Sequence, residues 1–201
     1  MKWFLVAILL AALSTLIWFK RGDVRKEIDF RRAQQAREAS VTSLNVQQLR
    51  NLLEQDDVEV RRMAAIRLAH ANDATGRGAL IASLYPQTIF ATGAGNLQPI
   101  IVPGKSVRIG ETIATLTAEN ILSPINGKVL RYYQSDEGSF KPGQRVAAIL
   151  PKEDAVKDVI QAIALIGKAS DAEELEEFAK SYPKFAAEVV SASQTIRARR
   201  K

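Results

Sequence analysis

The spacing of apolar residues divides the chain into helical regions on either side of a region of short strands. Apolar residues recur every three to four positions over about 44–84 and again over 153–196. Between them, over 86–151, the apolar runs are short and are bounded by Gly and Pro, as strands and turns are. The pattern predicts a pair of helices, a single helix, an all-β region, a second single helix and a final pair.

The N-terminal residues form a separate apolar run. Positions 3–19 are apolar except for Ser14 and Thr15, and at about 1.5 Å per residue they would extend roughly 25 Å, the short end of a membrane span. Interfacial aromatics and basic residues bracket the run. We therefore predict a membrane anchor over 1–20, whose boundary residues are Trp3, Trp18, Phe19, Lys20 and Arg21. The alternative is a cleaved signal peptide with Lys2 as its basic region.

A charged stem is predicted to follow the anchor over 21–42, because few large apolar residues occur there. Lys and Arg are concentrated after the apolar run, with only Lys2 before it. The positive-inside rule then predicts a single-pass protein of the bacterial inner membrane, with its N-terminus outside and its body in the cytoplasm. The alternative orientation places the body in the periplasm.

The first helical region carries a pattern known from repeat proteins. Its motif is Leu49-x-x-Leu52-Leu53, then Asp56-Asp57, then Val60-Arg61-Arg62-x-Ala64-Ala65-x-x-Leu68. This resembles the helix–turn–helix unit of HEAT-like repeats, and the helix that ends at Gly167 resembles the second helix of such a unit. The resemblance implies helical domains over 43–85 and 152–201, stacked as three repeats with the β region 86–151 inserted in the middle one. The alternative is two unrelated helical caps around a β domain.

The β region contains two similar halves. Each has a glycine, a buried-type apolar residue, a second glycine, a polar pair and an apolar run: Gly104 to Leu116 and Gly138 to Ile149. Together with Ser123-Pro-Ile-Asn-Gly-Lys-Val129, these halves resemble the biotinyl/lipoyl-like barrel-sandwich hybrid, which also occurs in membrane fusion proteins. We predict structural turns at Gly104, Gly110, Pro124, Gly127, Gly138 and Gly143.

Two departures from that resemblance bear on function. Carrier domains place their modified lysine on the hairpin between the halves, and the corresponding residues 116–121 include no lysine. Membrane fusion proteins insert a long coiled coil there, and only a few residues separate the halves in this chain. We therefore expect no bound prosthetic group and a β module that contacts a partner. The candidate contact residues are Thr117, Glu119, Asn120, Tyr132 and Tyr133.

Composition removes most catalytic chemistry. The 201 residues include no Cys and only His70 as a histidine, so thiol nucleophiles and multi-histidine metal sites are excluded. A net charge of +6, concentrated near the ends, favours phospholipid over nucleic acid. The sequence predicts a non-catalytic, membrane-anchored scaffold that binds other protein subunits, without a cofactor, a metal or a small-molecule substrate. The alternative is a reduced membrane-fusion-type adaptor of an envelope transport complex with its body exported.

Overall fold

The computed structural model describes residues 32, 35, 36, 38, 39, 41–117, 119–135 and 137–199. The chain divides into two units, Met1–Leu44 and Asn45–Lys201. In the first unit, the described residues near Val41 are helical, and the Thr42 hydroxyl donates a hydrogen bond to the Glu38 carbonyl at 2.6 Å. All the helices and strands discussed below belong to the second unit.

Six α-helices are described in this unit, and short polar segments begin or end most of them. They are α1 (Val46–Leu52), α2 (Val58–His70), α3 (Arg77–Leu84), α4 (Glu153–Ile166), α5 (Ala169–Ser181) and α6 (Ala186–Ala198), with 3-10 turns at Ala74–Gly76 and Pro183–Phe185. Asp57 caps α2, since its carboxylate accepts hydrogen bonds from the backbone N–H groups of Glu59 and Val60.

The helices share one core that is drawn from both ends of the unit. Helix α3, which precedes the strands, packs against α4, which follows them, and α2 also contacts α4. Leu80 and Leu84 of α3 are fully buried in the same cluster as Ile160 and Ile163 of α4. The chain therefore leaves the helical core after α3 and returns to it at α4.

An aromatic cluster covers this core at the C-terminal end of α3. Phe178 of α5 contacts Tyr85 edge-on at 5.7 Å between ring centroids and stacks on Phe185 at 5.7 Å. Tyr182 lies 4.8 Å from the same ring. Burial, with Glu174 and Glu177 nearby, raises the pKa of Tyr85. These ring contacts pack Tyr85, at the C-terminal end of α3, against α5.

The intervening strands form two small antiparallel sheets around a second core. The strands are β1 (Gln87–Phe90), β2 (Leu97–Pro99), β3 (Ser106–Val107), β4 (Thr112–Leu116), β5 (Glu119–Leu122), β6 (Gly127–Tyr132) and β7 (Arg145–Pro151). One sheet has the order β1-β7-β6-β3 and the other has the order β2-β4-β5. Ile113, Val129, Val146 and Ile149 are fully buried between them.

The pairings of the two sheets correspond to one another. Strand β7 lies between β1 and β6, and β4 lies between β5 and β2. Val107 pairs with Gly127 in the first sheet, and Phe140 forms an isolated bridge with Gly95 beside the second. Both apolar partners are buried. The similarity of the two halves in sequence therefore extends to their backbone pairing.

The predicted fold class is wrong in two respects. The described strands form two open sheets and no closed barrel, because the end strands of each sheet, β1 and β3 in one and β2 and β5 in the other, are paired on one side only. Within the described residues, no helix has the length and apolar composition required to cross a membrane.

The predicted transmembrane helix and single-pass localisation are corrected on that finding. The longest helix described, α4, has 14 residues and a polar face. The sequence criterion was weak, because a run of 17 residues, two of them polar, reaches only the lower limit of a membrane span. The proposed anchor residues Trp3, Trp18, Phe19, Lys20 and Arg21 lie outside the described residues, as does most of the stem.

Candidate functional site

The adjacent tyrosines at the end of β6 have different environments. The Tyr132 hydroxyl lies 2.8 Å from the Ile101 carbonyl oxygen and 2.7 Å from that of Ile113, so its single proton is shared between two acceptors. Its ring packs against the β core, and burial raises the pKa of Tyr132. Tyr132 therefore connects β6 to β4, through Ile113, and to the loop between β2 and β3, through Ile101.

A β-bulge determines which tyrosine faces the core. Val129 pairs with Ile149, whereas Arg131 pairs with Ala148, so the register shifts at Leu130. Leu130 and Arg131 are both exposed, and the following residue turns inward. Strict alternation from Val129 would place Tyr133 inside; the bulge reverses this and directs Tyr133 outward.

The outward ring of Tyr133 is flanked by two guanidinium groups. The Arg131 guanidinium carbon lies 5.2 Å from the ring centroid, and that of Arg145 lies 5.0 Å from it. Both distances are within the range of cation–π attraction. In the part of the chain that the structure describes, neither guanidinium is paired with a carboxylate. The two cations are therefore ordered by an aromatic ring and available for other contacts.

An exposed phenylalanine extends this cluster across the sheet. Phe90 of β1 is directly opposite Arg145 of β7, so the two side chains share a face. Phe90 is 52% exposed, so about half of a large apolar residue meets solvent. We call Phe90, Arg131, Tyr133 and Arg145 the outer-sheet patch.

A concave space of about 370 Å³ adjoins the patch. It is lined by Phe90, Tyr133, Gln134, Ser135, Phe140, Gly143, Gln144 and Arg145. The Ser135 hydroxyl donates a hydrogen bond to the Ser139 carbonyl at 2.5 Å, which ties the two sides of the loop together. Side-chain amides of Gln134 and Gln144 provide donors and acceptors beside the aromatic surface. The patch therefore combines apolar, cationic and neutral polar groups in one concave surface.

The candidate residues on the β4–β5 hairpin are placed elsewhere. Thr117 has φ +51° and accepts a hydrogen bond on its hydroxyl from the Asn96 N–H at 3.3 Å. Glu119 forms a side-chain hydrogen bond with Thr92, and Asn120 is exposed. Thr117 and Glu119 thus bind the loop 92–96 of their own chain. None of the three lines the concave space beside Tyr133.

The candidate turn residues fall into two groups. Gly104, Gly110, Gly138 and Gly143 have φ values of +88°, +78°, +75° and +82°. Gly127 lies inside β6, where an added Cβ would be only 2.0 Å from the Leu150 carbonyl oxygen. Pro124 lies in the bend between β5 and β6. Gly127 is therefore required for close approach of two strands rather than for a turn.

A second concave space lies where the strands meet the helices, and its charges are largely paired within the chain. Lys184 bonds to Glu153, and the Lys152 ammonium lies 2.8 Å from the Asp154 carboxylate. The neighbouring lysines hold the pKa values of Glu153 and Asp154 below their usual range. These pairs connect α4 to the residues around it, and we assign them a structural role.

Phe90, Arg131 and Arg145 were not predicted from the sequence as parts of a site. Arg131 and Tyr133 are two positions apart, a spacing that places side chains on one face of a strand. That spacing is the one available signal in the sequence. Phe90 and Arg145 join the patch only through the pairing of β1 with β7.

Across the described residues, no group of three or more His, Cys, Asp or Glu side chains is placed to hold a metal ion. No protein-family model matches the chain, and no curated protein matches it in sequence. The resemblances to HEAT-like repeats and to biotinyl/lipoyl-like domains therefore stay predictions. The outer-sheet patch and its side chains are therefore the basis for a proposed function.

Proposed function

We propose that the chain is a non-catalytic adaptor that binds a partner protein through the outer-sheet patch. The observation that carries this proposal is the Tyr133 ring between the guanidiniums of Arg131 and Arg145, with Phe90 exposed beside it. Tyr, Phe and Arg are the residue types enriched at the centre of protein interfaces.

The environment of Phe90 favours a binding role over a packing role. A large apolar side chain that is half exposed makes little contribution to the core, and burying it against a partner would be favourable. The arginines beside it already have restricted conformations, because both contact one ring. Less side-chain entropy is lost when such groups bind.

The remainder of the unit supports the patch as a rigid base. Phe90, Arg131 and Arg145 lie in β1, β6 and β7, which are adjacent in one sheet, and Tyr133 directly follows β6. The inner faces of these strands contribute Val129, Val146 and Ile149, all fully buried. A binding surface on packed strands keeps its geometry better than one on a loop.

Site-specific photo-crosslinking in the native host tests the proposal. A benzoyl-phenylalanine replaces Phe90, and the matched control places the same group at Val190, which is 54% exposed on α6. We expect a discrete protein adduct from position 90 and none of that mass from position 190. Adducts of equal yield at both positions, or none at position 90, would contradict binding through the patch.

A further inference from the structure

We infer that the segment bound at the outer-sheet patch is acidic, with carboxylate side chains that pair with Arg131 and Arg145. This inference rests on the proposed function and adds the chemistry of the partner. The two guanidiniums lie beside one ring and have no carboxylate partner among the described residues. These two positive charges without a carboxylate partner are the feature of the patch that indicates a negatively charged ligand.

The N–H groups of the two arginines favour a carboxylate. Each guanidinium carbon lies 5.0–5.2 Å from the Tyr133 ring centroid, and neither guanidinium donates a side-chain hydrogen bond within the described residues. Two parallel N–H groups of a guanidinium match the two oxygens of a carboxylate. A ring that orders both cations therefore prepares two such contacts at once.

The surroundings of the patch strengthen the complementarity. Among the described residues that line the concave space, none is acidic. On the loop beside it, the Glu137 carboxylate is paired with the Lys141 ammonium at 2.7 Å. Gln134 and Gln144 add neutral groups that suit a peptide backbone.

A protein segment accounts for the patch better than a nucleic acid does. Nucleic-acid sites track the phosphate backbone with a row of cations, whereas this patch presents two. Phe90 and Phe140 lie beside them and give an apolar surface. Carboxylates with apolar neighbours fit that combination.

Fluorescence anisotropy with the full-length chain tests the inference. The probe is a labelled peptide of about eight residues that alternates Glu with Leu, and its partner probe has Gln at every Glu. Single-stranded oligothymidylate is the third probe. The variants are Arg131→Gln and Arg145→Gln, with Arg67→Gln, an exposed arginine of α2, as the control of equal charge.

We expect the Glu peptide to bind in preference to the Gln peptide, with a dissociation constant that rises with salt. Each patch variant should weaken binding about tenfold, as the loss of a charged hydrogen bond predicts, and Arg67→Gln should change it less than about twofold. Equal weakening by all three variants would show non-specific attraction and overturn the inference.

Two further results would also overturn it. One is the absence of binding by the Glu peptide, and the other is tighter binding of oligothymidylate through the same arginines. Either result leaves the Phe90 crosslink as a separate test, so failure of the acidic partner is distinguished from failure of the proposed function.

Discussion

The two halves of the β region contain the same turn in two different settings. In Arg108–Glu111 and in Lys141–Gln144, the N–H of the fourth residue donates to the carbonyl of the first, at 3.0 and 3.1 Å. The side chain of the fourth residue accepts from the N–H of the first at 2.8 Å in both. The third residue is a glycine with positive φ, and its N–H donates across to another segment at 2.8 Å in both.

The halves differ in the strand that comes after each turn. Thr112 begins β4 after the first turn, whereas Arg145 begins β7 after the second and contacts Tyr133. The backbone requirements of the two turns are therefore the same, and of the two halves only the second contributes a residue, Arg145, to the outer-sheet patch. A repeated scaffold can be kept while one copy acquires a binding surface through a few side chains.

Glycine-to-alanine substitutions at the bridged glycines should give the largest difference between the halves. A Cβ at Gly127 would lie 2.0 Å from a backbone carbonyl oxygen of β7. One at Gly95 would lie 2.0 Å from the Thr117 hydroxyl oxygen, which can rotate away, and 2.8 Å from the Thr117 Cβ, which requires a small shift of the backbone. We expect Gly127→Ala to lower the free energy of unfolding by about 3 kcal/mol or more and Gly95→Ala by about 1–2 kcal/mol.

Urea denaturation followed by circular dichroism measures both losses, with the exposed glycine Gly78 of α3 as the control. Nothing lies within contact distance of a Cβ at Gly78, and alanine favours a helix there. A loss for Gly95→Ala as large as that for Gly127→Ala would show that the two sites are more alike than the described contacts indicate.

Alanine at the turn glycines should instead affect both halves equally. Gly110 and Gly143 have φ values of +78° and +82°, and a Cβ at either position has open space around it. Only the left-handed backbone penalises the substitution, so each should cost about 1–2 kcal/mol of unfolding free energy. The thermal midpoints of the two variants should agree closely; a clear difference would separate the turns in energy despite their common geometry.

The fold was predictable from the sequence where local patterns decide it. Helical spacing, the Asp57 cap and the glycine pairs are encoded within a few residues, and the corresponding helices and turns are present. The open sheets were not predictable, because the order in which the strands pair depends on contacts between distant residues. Within the described residues, no helix could cross a membrane. The length of the N-terminal apolar run alone had predicted such a helix.

The candidate site was predictable only in part, because the β-bulge at Leu130 has no local signature. Tyr132 and Tyr133 were both candidate contacts, and the choice between them depends on a shifted register in the β6–β7 pair. Phe90 and Arg145 are more than fifty positions apart and meet only through strand pairing. Such pairings arise from tertiary structure, which periodicity does not report.

Substitution of the adjacent tyrosines tests whether the bulge turns Tyr132 inward and Tyr133 outward. Tyr132→Phe removes the hydroxyl that donates to the Ile101 and Ile113 carbonyls, and we expect a loss of about 1 kcal/mol in unfolding free energy. Tyr133→Phe keeps the ring between the two arginines and should change stability by less than about 0.5 kcal/mol. The urea midpoints of the two variants measure these changes. A larger loss of unfolding free energy for Tyr133→Phe than for Tyr132→Phe would mean that the register of β6 is not the one described.

The smallest effect is expected at the fourth position of the two turns, where one has a carboxylate and the other an amide. Glu111→Gln keeps the acceptor oxygen that the Arg108 N–H uses, and Gln144→Glu keeps the one that the Lys141 N–H uses. Each swap should therefore change the unfolding free energy by less than about 0.5 kcal/mol, whereas Glu111→Ala and Gln144→Ala should each lose about 1 kcal/mol. Urea titration of the four variants measures these changes. If alanine costs nothing at one turn, the side-chain hydrogen bond there is not needed, and the equivalence of the halves rests on their glycines alone.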